Sequence, residues 1–181
     1  MDIQENYNKI LSIDSDIKDN LSVLNYFAKQ CDHITEMGVR AMFSSWAFLA
    51  GLKQGGTFIG IDIVHPKEYG IDIEKIKTEC EKEGIKFNFV QGDTLEAEIE
   101  PTDMLFIDTI HTKTQLSKEL KMHASRVRKF MAFHDTVSCP ELCLIIDDFL
   151  HQNKNWRVVF IGNLSNGLIV IQNYKYANRT E

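Results

Sequence analysis

The chain has 181 residues, with 20 Lys+Arg against 26 Asp+Glu, a formal net charge of -6 and 44% hydrophobic residues. That length suits one domain able to bury a full core without staples, and the composition excludes a disordered tail. The acidic balance and the lack of a basic stripe argue against a nucleic-acid binder.

The first ~30 residues have helical character: Leu21, Leu24, Tyr26, Phe27 and Cys31 make a broad apolar face, with Asp19 a candidate cap. The start, MDIQENYNKI, has neither a basic nor an apolar signal region, and the longest apolar stretch (42–52) is too short to span a bilayer. A cytoplasmic protein with no membrane partner is therefore expected. Short β-branched runs follow at 33–37, 57–61, 86–90, 103–107, 129–133, 157–161 and 168–171. Segments of helical period alternate with most of them, at 44–52, 71–83, 114–127 and 141–151. The third of these sets Leu116, Leu120 and Val127 on one side, and His123 with Lys118 and Lys121 reads as a solvated face.

Strands alternating with crossover helices predict an α/β fold, a Rossmann-like, mostly parallel seven-stranded sheet with helices on both faces. Only Gly162-Asn163-Leu164-Ser165-Asn166-Gly167 separates the last two strands, so they are expected as an antiparallel hairpin. The four cysteines, at 31, 80, 139 and 143, lack the second close pair of a zinc site and read as reduced thiols.

In open α/β sheets, ligands bind beyond the carboxyl ends of the strands. The residues there are Glu36, Gly38, Val39 and Arg40 after the first strand, Asp62 and Ile63 after the second, and Gly92 and Asp93 after the third. Asp108 and His111 follow the fourth, and His134 and Asp135 the fifth. An acid thus stands at each of five consecutive strand ends. Gly38 would let backbone approach a ligand, and Ser44 at a helix start would join backbone N–H groups in holding a carboxylate. Asp62, 26 residues after Glu36, suits the two hydroxyls of a ribose, and Asp93 would accept from an exocyclic amine. Together these describe a nucleoside with a carboxylate-bearing tail. Arg40 and Phe43 stand where G-x-G-x-x-G needs glycine, which disfavours a dinucleotide.

The motifs ITEMGVRAMFSSWAFLAG, GTFIGIDI, FVQGDTLE, DMLFIDTIHTKTQLSKEL, MAFHDT and SNGLIVIQN resemble those of class I S-adenosylmethionine-dependent methyltransferases. The resemblance is strongest to small-molecule O-methyltransferases of the catechol O-methyltransferase type and to the group related to macrocin O-methyltransferase and cephalosporin hydroxylase. It implies a methyltransferase domain over 31–181 after an N-terminal helical segment over 1–30. It also implies S-adenosylmethionine as cofactor and transfer to an oxygen of a small polar acceptor, a sugar or hydroxylated metabolite. Cofactor binding without transfer, or another reaction on the same scaffold, is the alternative. By the same resemblance Glu36 and Gly38 form the first motif, Ser44 binds the methionine carboxylate, Asp62 the ribose, and Asp93 lies on the adenine side.

Two departures from the family pattern stand out. Met42 and Phe43 replace a second glycine, which would narrow the methionine pocket, and Thr109 and Ile110 replace Gly and Asp of FIDGDH. Asp108 and Asp135 match metal-ligand positions and with waters would suit Mg²⁺. The alternative is that Asp108 contacts the cofactor's amino group while Asp135 orders a loop. His111 and His134 are both candidate general bases, with Asp108 beside them. A homodimer covering the site is compatible with the sequence, though no residue points to it.

Overall fold

The computed structural model describes residues 2–177, and the remaining residues of the two expected segments, 1 and 178–181, lie outside it. Asp2 and Glu5 form a capping box that starts α1 (Ile3–Ile10), and a turn at 18–20 leads into α2 (Leu21–Ala28). The expected Asp19 cap is not formed. The residue before α2 is Asn20, without a side-chain cap bond, and the Asp19 carboxylate instead accepts from Ser165 Oγ at 2.7 Å.

The remaining elements alternate as the pattern predicts: β1 (His33–Met37), α3 (Phe43–Gly51), β2 (Thr57–Asp62), α4 (Ile73–Lys82) and β3 (Lys86–Gln91). Then come β4 (Thr102–Ile107), α5 (Lys113–His123), β5 (Val127–His134), α6 (Glu141–Gln152), β6 (Trp156–Gly162), β7 (Leu168–Asn173) and a short α7 (Tyr174–Ala177). The seven strands form one sheet in the order β3-β2-β1-β4-β5-β7-β6. β1 to β5 run parallel, and β7 is antiparallel to both its neighbours.

Strand alternation divides the core in two. Met104 and Phe106 of β4, Phe130 and Ala132 of β5, and Leu168 and Val170 of β7 face the layer that contains α1, α2 and α3. Leu105 and Ile107, Met131 and Phe133, and Ile169 and Ile171 face Leu116 and Leu120 of α5 and Leu142 and Ile146 of α6. Residues 3–28 therefore share their core with one face of the sheet, through Ile3, Tyr7, Leu21 and Leu24. Trp46 and Phe48 are buried in that layer. Among the described residues all four cysteines are free thiols.

Two local expectations change. α5 ends at His123, and Val127 begins β5 opposite Thr102, where its branched side chain packs in the sheet core. His123 is buried, not solvated: its Nε2 meets the Thr94 carbonyl at 2.8 Å. The helix packs this histidine against the loop after β3, a contact that charge patterning along α5 does not reveal.

Candidate active site

The sheet order reverses between β1 and β4, and the loops at their carboxyl ends diverge there. The ladder carries into the first loop: the Gly38 amide donates to Ile61 O at 2.9 Å and the Asp108 amide to Met37 O at 2.8 Å. Gly38 has φ +86°, and a Cβ built on it would lie 1.9 Å from the Asp108 carbonyl oxygen. Only glycine allows this crossing. Arg40 (φ 43°) and Met42 (φ 64°) are also left-handed, so the chain turns sharply before α3.

Met42 thus adopts the conformation a glycine favours. Its side chain is fully buried in the core and is not among the residues lining the cleft described below. Met42 therefore packs into the core and does not line that cleft. Burial of a methionine, worth about 1.5–3 kcal/mol, offsets the roughly 1–2 kcal/mol of left-handed backbone strain.

Asp62, at the end of β2, holds this loop in place. Its Oδ2 accepts from the Val39 and Arg40 amides at 2.8 and 2.9 Å, and its Oδ1 from the Val64 amide at 2.8 Å. Glu36, inside β1, is wholly buried and accepts from both Ser44 Oγ and Ser45 Oγ in the first turn of α3. Ser45 is a partner that the sequence motif leaves out.

Burial raises the Glu36 carboxyl from 4.5 to about 8, and the two serine hydroxyls counteract only part of this. The folded protein therefore keeps a proton that the unfolded chain loses. This contribution to stability is complete below pH 4.5 and is lost as the pH rises toward 8. Glu36→Gln removes the titration while leaving an amide for the serines. Its stability relative to the parent should climb with pH across that window, by about 1.4 kcal/mol per pH unit at the steepest. Thermal melts of both proteins at pH 5 and 8 check this, and parallel curves would contradict it.

A cleft of about 200 Å³ opens above these loops, lined by Gly38, Arg40, Asp62, Ile63, Gly92 and Asp93. Thr94, Asp108, Thr109, Ile110 and Gln115 complete the lining. It gathers Gly38, Arg40, Asp62, Ile63, Gly92, Asp93 and Asp108 from four strand ends. Glu36, Val39 and Ser44 lie behind it, supporting the loop. A larger hollow of about 660 Å³ between α5, α6 and Trp156 contains none of these residues.

Beside the cleft, two carboxylates and two imidazoles form a closed ring. His111 Nε2 lies 3.2 Å from Asp108 Oδ1 and 2.9 Å from Asp135 Oδ2. His134 Nδ1 lies 3.3 and 3.0 Å from the same two oxygens. His134 Nε2 is 2.9 Å from the Ser165 carbonyl, which can only accept, so this nitrogen carries a hydrogen. Both nitrogens of His134 are thereby engaged, and its side chain is 1% exposed, whereas that of His111 is 36% exposed. Asp135 adopts φ 59° to bring its carboxylate back to the ring, and Ser138 Oγ donates to it at 2.5 Å.

The ring's electrostatics follow from this geometry. Hydrogen bonds to Asp108 and Asp135 raise His111 to about 10 against partial burial. Burial pulls His134 down, but the same two carboxylates outweigh it and hold His134 at about 10. Burial would raise Asp108 and Asp135, yet their histidine partners leave both below the usual carboxylate value. The carboxylates contribute stability above pH 3.8, lost as the pH falls. The histidines contribute fully below pH 6.5 and lose this as the pH rises toward 10. The ring therefore holds best between about pH 4 and 6.5.

A third group escaped the sequence reading. Glu119 of α5 is fully buried and accepts from Thr94 Oγ1 at 2.6 Å, Thr109 Oγ1 at 2.9 Å and Gln115 Nε2 at 2.9 Å. The signal available was an acid next to Leu120, four residues beyond Gln115, on a helix with a narrow apolar face.

No family model matches the chain, and neither does any curated protein. Solved structures match its fold over most of its length. An O-methyltransferase from Bacillus cereus in complex with SAH is similar with a TM-score of 0.61 at 14% identity, covering 86% of this chain and 80% of that one. The O-methyltransferase TomG from Streptomyces achromogenes, involved in tomaymycin synthesis and solved with SAM, gives 0.59 at 14%, covering 90% and 82%. An SAH-bound methyltransferase from Podospora anserina gives 0.62 at 14%, covering 93% and 86%. The chain has the Rossmann-like methyltransferase fold, a seven-stranded, mostly parallel sheet closed by an antiparallel β5-β7-β6 edge.

Proposed function

We propose that this protein is a cytoplasmic S-adenosylmethionine-dependent methyltransferase acting on an oxygen of a small polar acceptor, such as a sugar or a hydroxylated metabolite. The observation that carries the reading is the cleft. It sets Gly38, Asp62 and Asp93 at the carboxyl ends of three strands, directly beside the Asp108–His111–His134–Asp135 ring. Asp62 faces a ribose and Asp93 the base, which sets the methyl-bearing sulfur toward the Asp108–His111 end of the cleft. Among the described residues no helix is long and apolar enough to cross a membrane.

The reaction needs an acceptor hydroxyl in line with the S–CH₃ bond and a group to take its proton. The acceptor oxygen bonds to the methyl carbon, the S–CH₃ electron pair returns to sulfur, and the hydroxyl proton passes to an imidazole. Of the two candidate bases, His111 fits this role. Its Nε2 is held by Asp108 and Asp135, while Nδ1 has no protein partner among the described residues. His134, buried and bonded at both nitrogens, positions the two carboxylates.

The donor atoms of Asp108, His111 and Asp135 lie within 4.8 Å of one another, a spacing that fits a divalent ion. Two carboxylates with waters would suit Mg²⁺, with the His111 imidazole left as the base. Bound there, such an ion would lower the pKa of the acceptor hydroxyl.

Titration calorimetry with S-adenosylmethionine and S-adenosylhomocysteine tests the cofactor. No heat from either at millimolar concentration would overturn the proposal, and binding without methylation across a broad acceptor panel would favour a non-catalytic binder. Asp62→Ala should weaken both ligands about 10–100-fold, through the lost ribose contact and the released Val39 and Arg40 amides. Unchanged affinity would remove the ribose assignment.

A further inference from the structure

The N-terminal segment reaches the ring through the β6–β7 turn. Asn20, at the entry to α2, is buried, and its Nδ2 donates to the carbonyls of Leu164 and Ser165, each at 3.1 Å. Carbonyls accept only, so the group that meets them is the NH₂ and the orientation of the amide is fixed. Beside it the Asp19 amide donates to Ser165 Oγ at 3.0 Å, and that hydroxyl gives its own hydrogen to the Asp19 carboxylate. The Ser165 carbonyl is the one that His134 Nε2 meets at 2.9 Å. A single backbone oxygen thus accepts from the N-terminal segment and from the ring. The turn that carries it is strained. Ser165, Asn166 and Gly167 are consecutive left-handed residues, with φ 46°, 64° and 91°. For the two with side chains this costs about 1–2 kcal/mol each. On the β5 side, Asn166 O accepts the Val137 and Ser138 amides at 2.8 and 3.2 Å, which fixes that end of the turn. Asn20 and Asp19 fix the Ser165 end.

From this geometry we infer that Asn20 is a positioning residue for methyl transfer. It holds the Ser165 carbonyl, that carbonyl orients His134, and His134 Nδ1 sets Asp108 and Asp135, the two carboxylates that aim His111. The inference rests on the reading of His111 as the base. Asn20 itself does not line the cleft, so its effect falls on the reacting end and not on cofactor affinity. The N-terminal segment is then a working part of the site as well as a cover for one face of the sheet.

The test measures kcat, S-adenosylhomocysteine affinity and the His134 ring N–H in the full chain. The ring proton is read by NMR on protein carrying isotope-labelled histidine and is assigned by its loss in His134→Gln. Asn20→Ala should lower kcat about 10–100-fold, the scale of an ångström-sized misplacement, and leave affinity within about threefold. The ring proton, protected from exchange in the parent, should lose that protection. Asn20→Asp keeps the shape but removes the NH₂, so it should do the same, and it serves if the alanine variant does not fold. Asn25→Ala controls for general weakening. Asn25 is also buried, and its Nδ2 donates to Ala47 O at 3.0 Å, tying α2 to α3 away from the ring. This variant should melt earlier while kcat and the ring proton stay parental. Parental kcat or an unchanged ring proton in a folded Asn20 variant, or an equal kcat loss in Asn25→Ala, would overturn the assignment. If the parent methylates no acceptor, the function reading fails instead, and the ring proton alone decides whether Asn20 positions His134.

Discussion

His111→Ala is expected to lower kcat for methyl transfer about 10²–10⁴-fold, the usual contribution of a positioned general base, while S-adenosylmethionine affinity stays within about threefold. The second half follows from position: His111 is not among the residues lining the cleft proposed for the cofactor. The first follows from its Nε2 being tied to Asp108 and Asp135, which aims the ring and leaves Nδ1 for the acceptor. The pH profile supplies a separate check. The two carboxylates raise His111 to about 10, and a base works only when deprotonated, so kcat/KM should rise with pH through neutrality toward that value. The variant should lose this limb, and added imidazole should restore part of the rate. A variant turning over at the parental rate, or a parental profile flat between pH 7 and 9, would exclude His111 as base.

Gly38→Ala should have the largest effect on stability. The new methyl would meet the Asp108 carbonyl oxygen at 1.9 Å and its carbon at 2.6 Å, both backbone atoms, and the residue must keep φ +86°. Left-handed strain alone costs about 1–2 kcal/mol, and displacing a central strand end brings the total to about 4 kcal/mol or more. For a domain of this size that lowers Tm by roughly 8–16 °C. Cofactor binding should fall with it, because Asp108 carries both the cleft wall and the ring. Gly55→Ala provides the control: φ is +88°, but a Cβ there meets nothing within 4 Å. Its cost should be the strain term alone. Equal melting temperatures for the two variants would show that the β1–β4 crossing is looser than described.

The contrast between these two glycines marks how far the sequence can be read. Both stand in turn-like contexts, and only the approach of β4 beneath Gly38 makes one of them indispensable. The same holds for the histidines. FIDTIH and AFHDT put His111 and His134 at adjacent strand ends, equal as candidates. What separates them is the Ser165 carbonyl, 31 residues beyond His134 in the β6–β7 turn, which takes one of its nitrogens and buries it. Ser165 is itself held at φ 46° and tied to Asp19 and Asn20 near the other end of the chain.

The five acids at strand ends, the mostly parallel sheet and its antiparallel edge were all legible from local pattern. Strands such as Met104-Leu105-Phe106-Ile107 read as continuous apolar runs because a central parallel strand is buried on both faces. Seven strands were visible for the same reason. Periodicity and turn composition are short-range properties, and each element carries them in its own residues. Glu119 and His123 show the limit. Charge patterning on α5 makes His123 part of a solvated face and gives Glu119 no role, yet both are buried because that helix lies against a loop some 25–29 residues earlier. Hydrogen-bond direction, burial and proton affinity depend on what lies across the gap between elements. The chain by itself determined that five acids would gather at one sheet edge. Only the packing of α5 and the β6–β7 turn against that edge decided which groups there can take a proton and which are closed off.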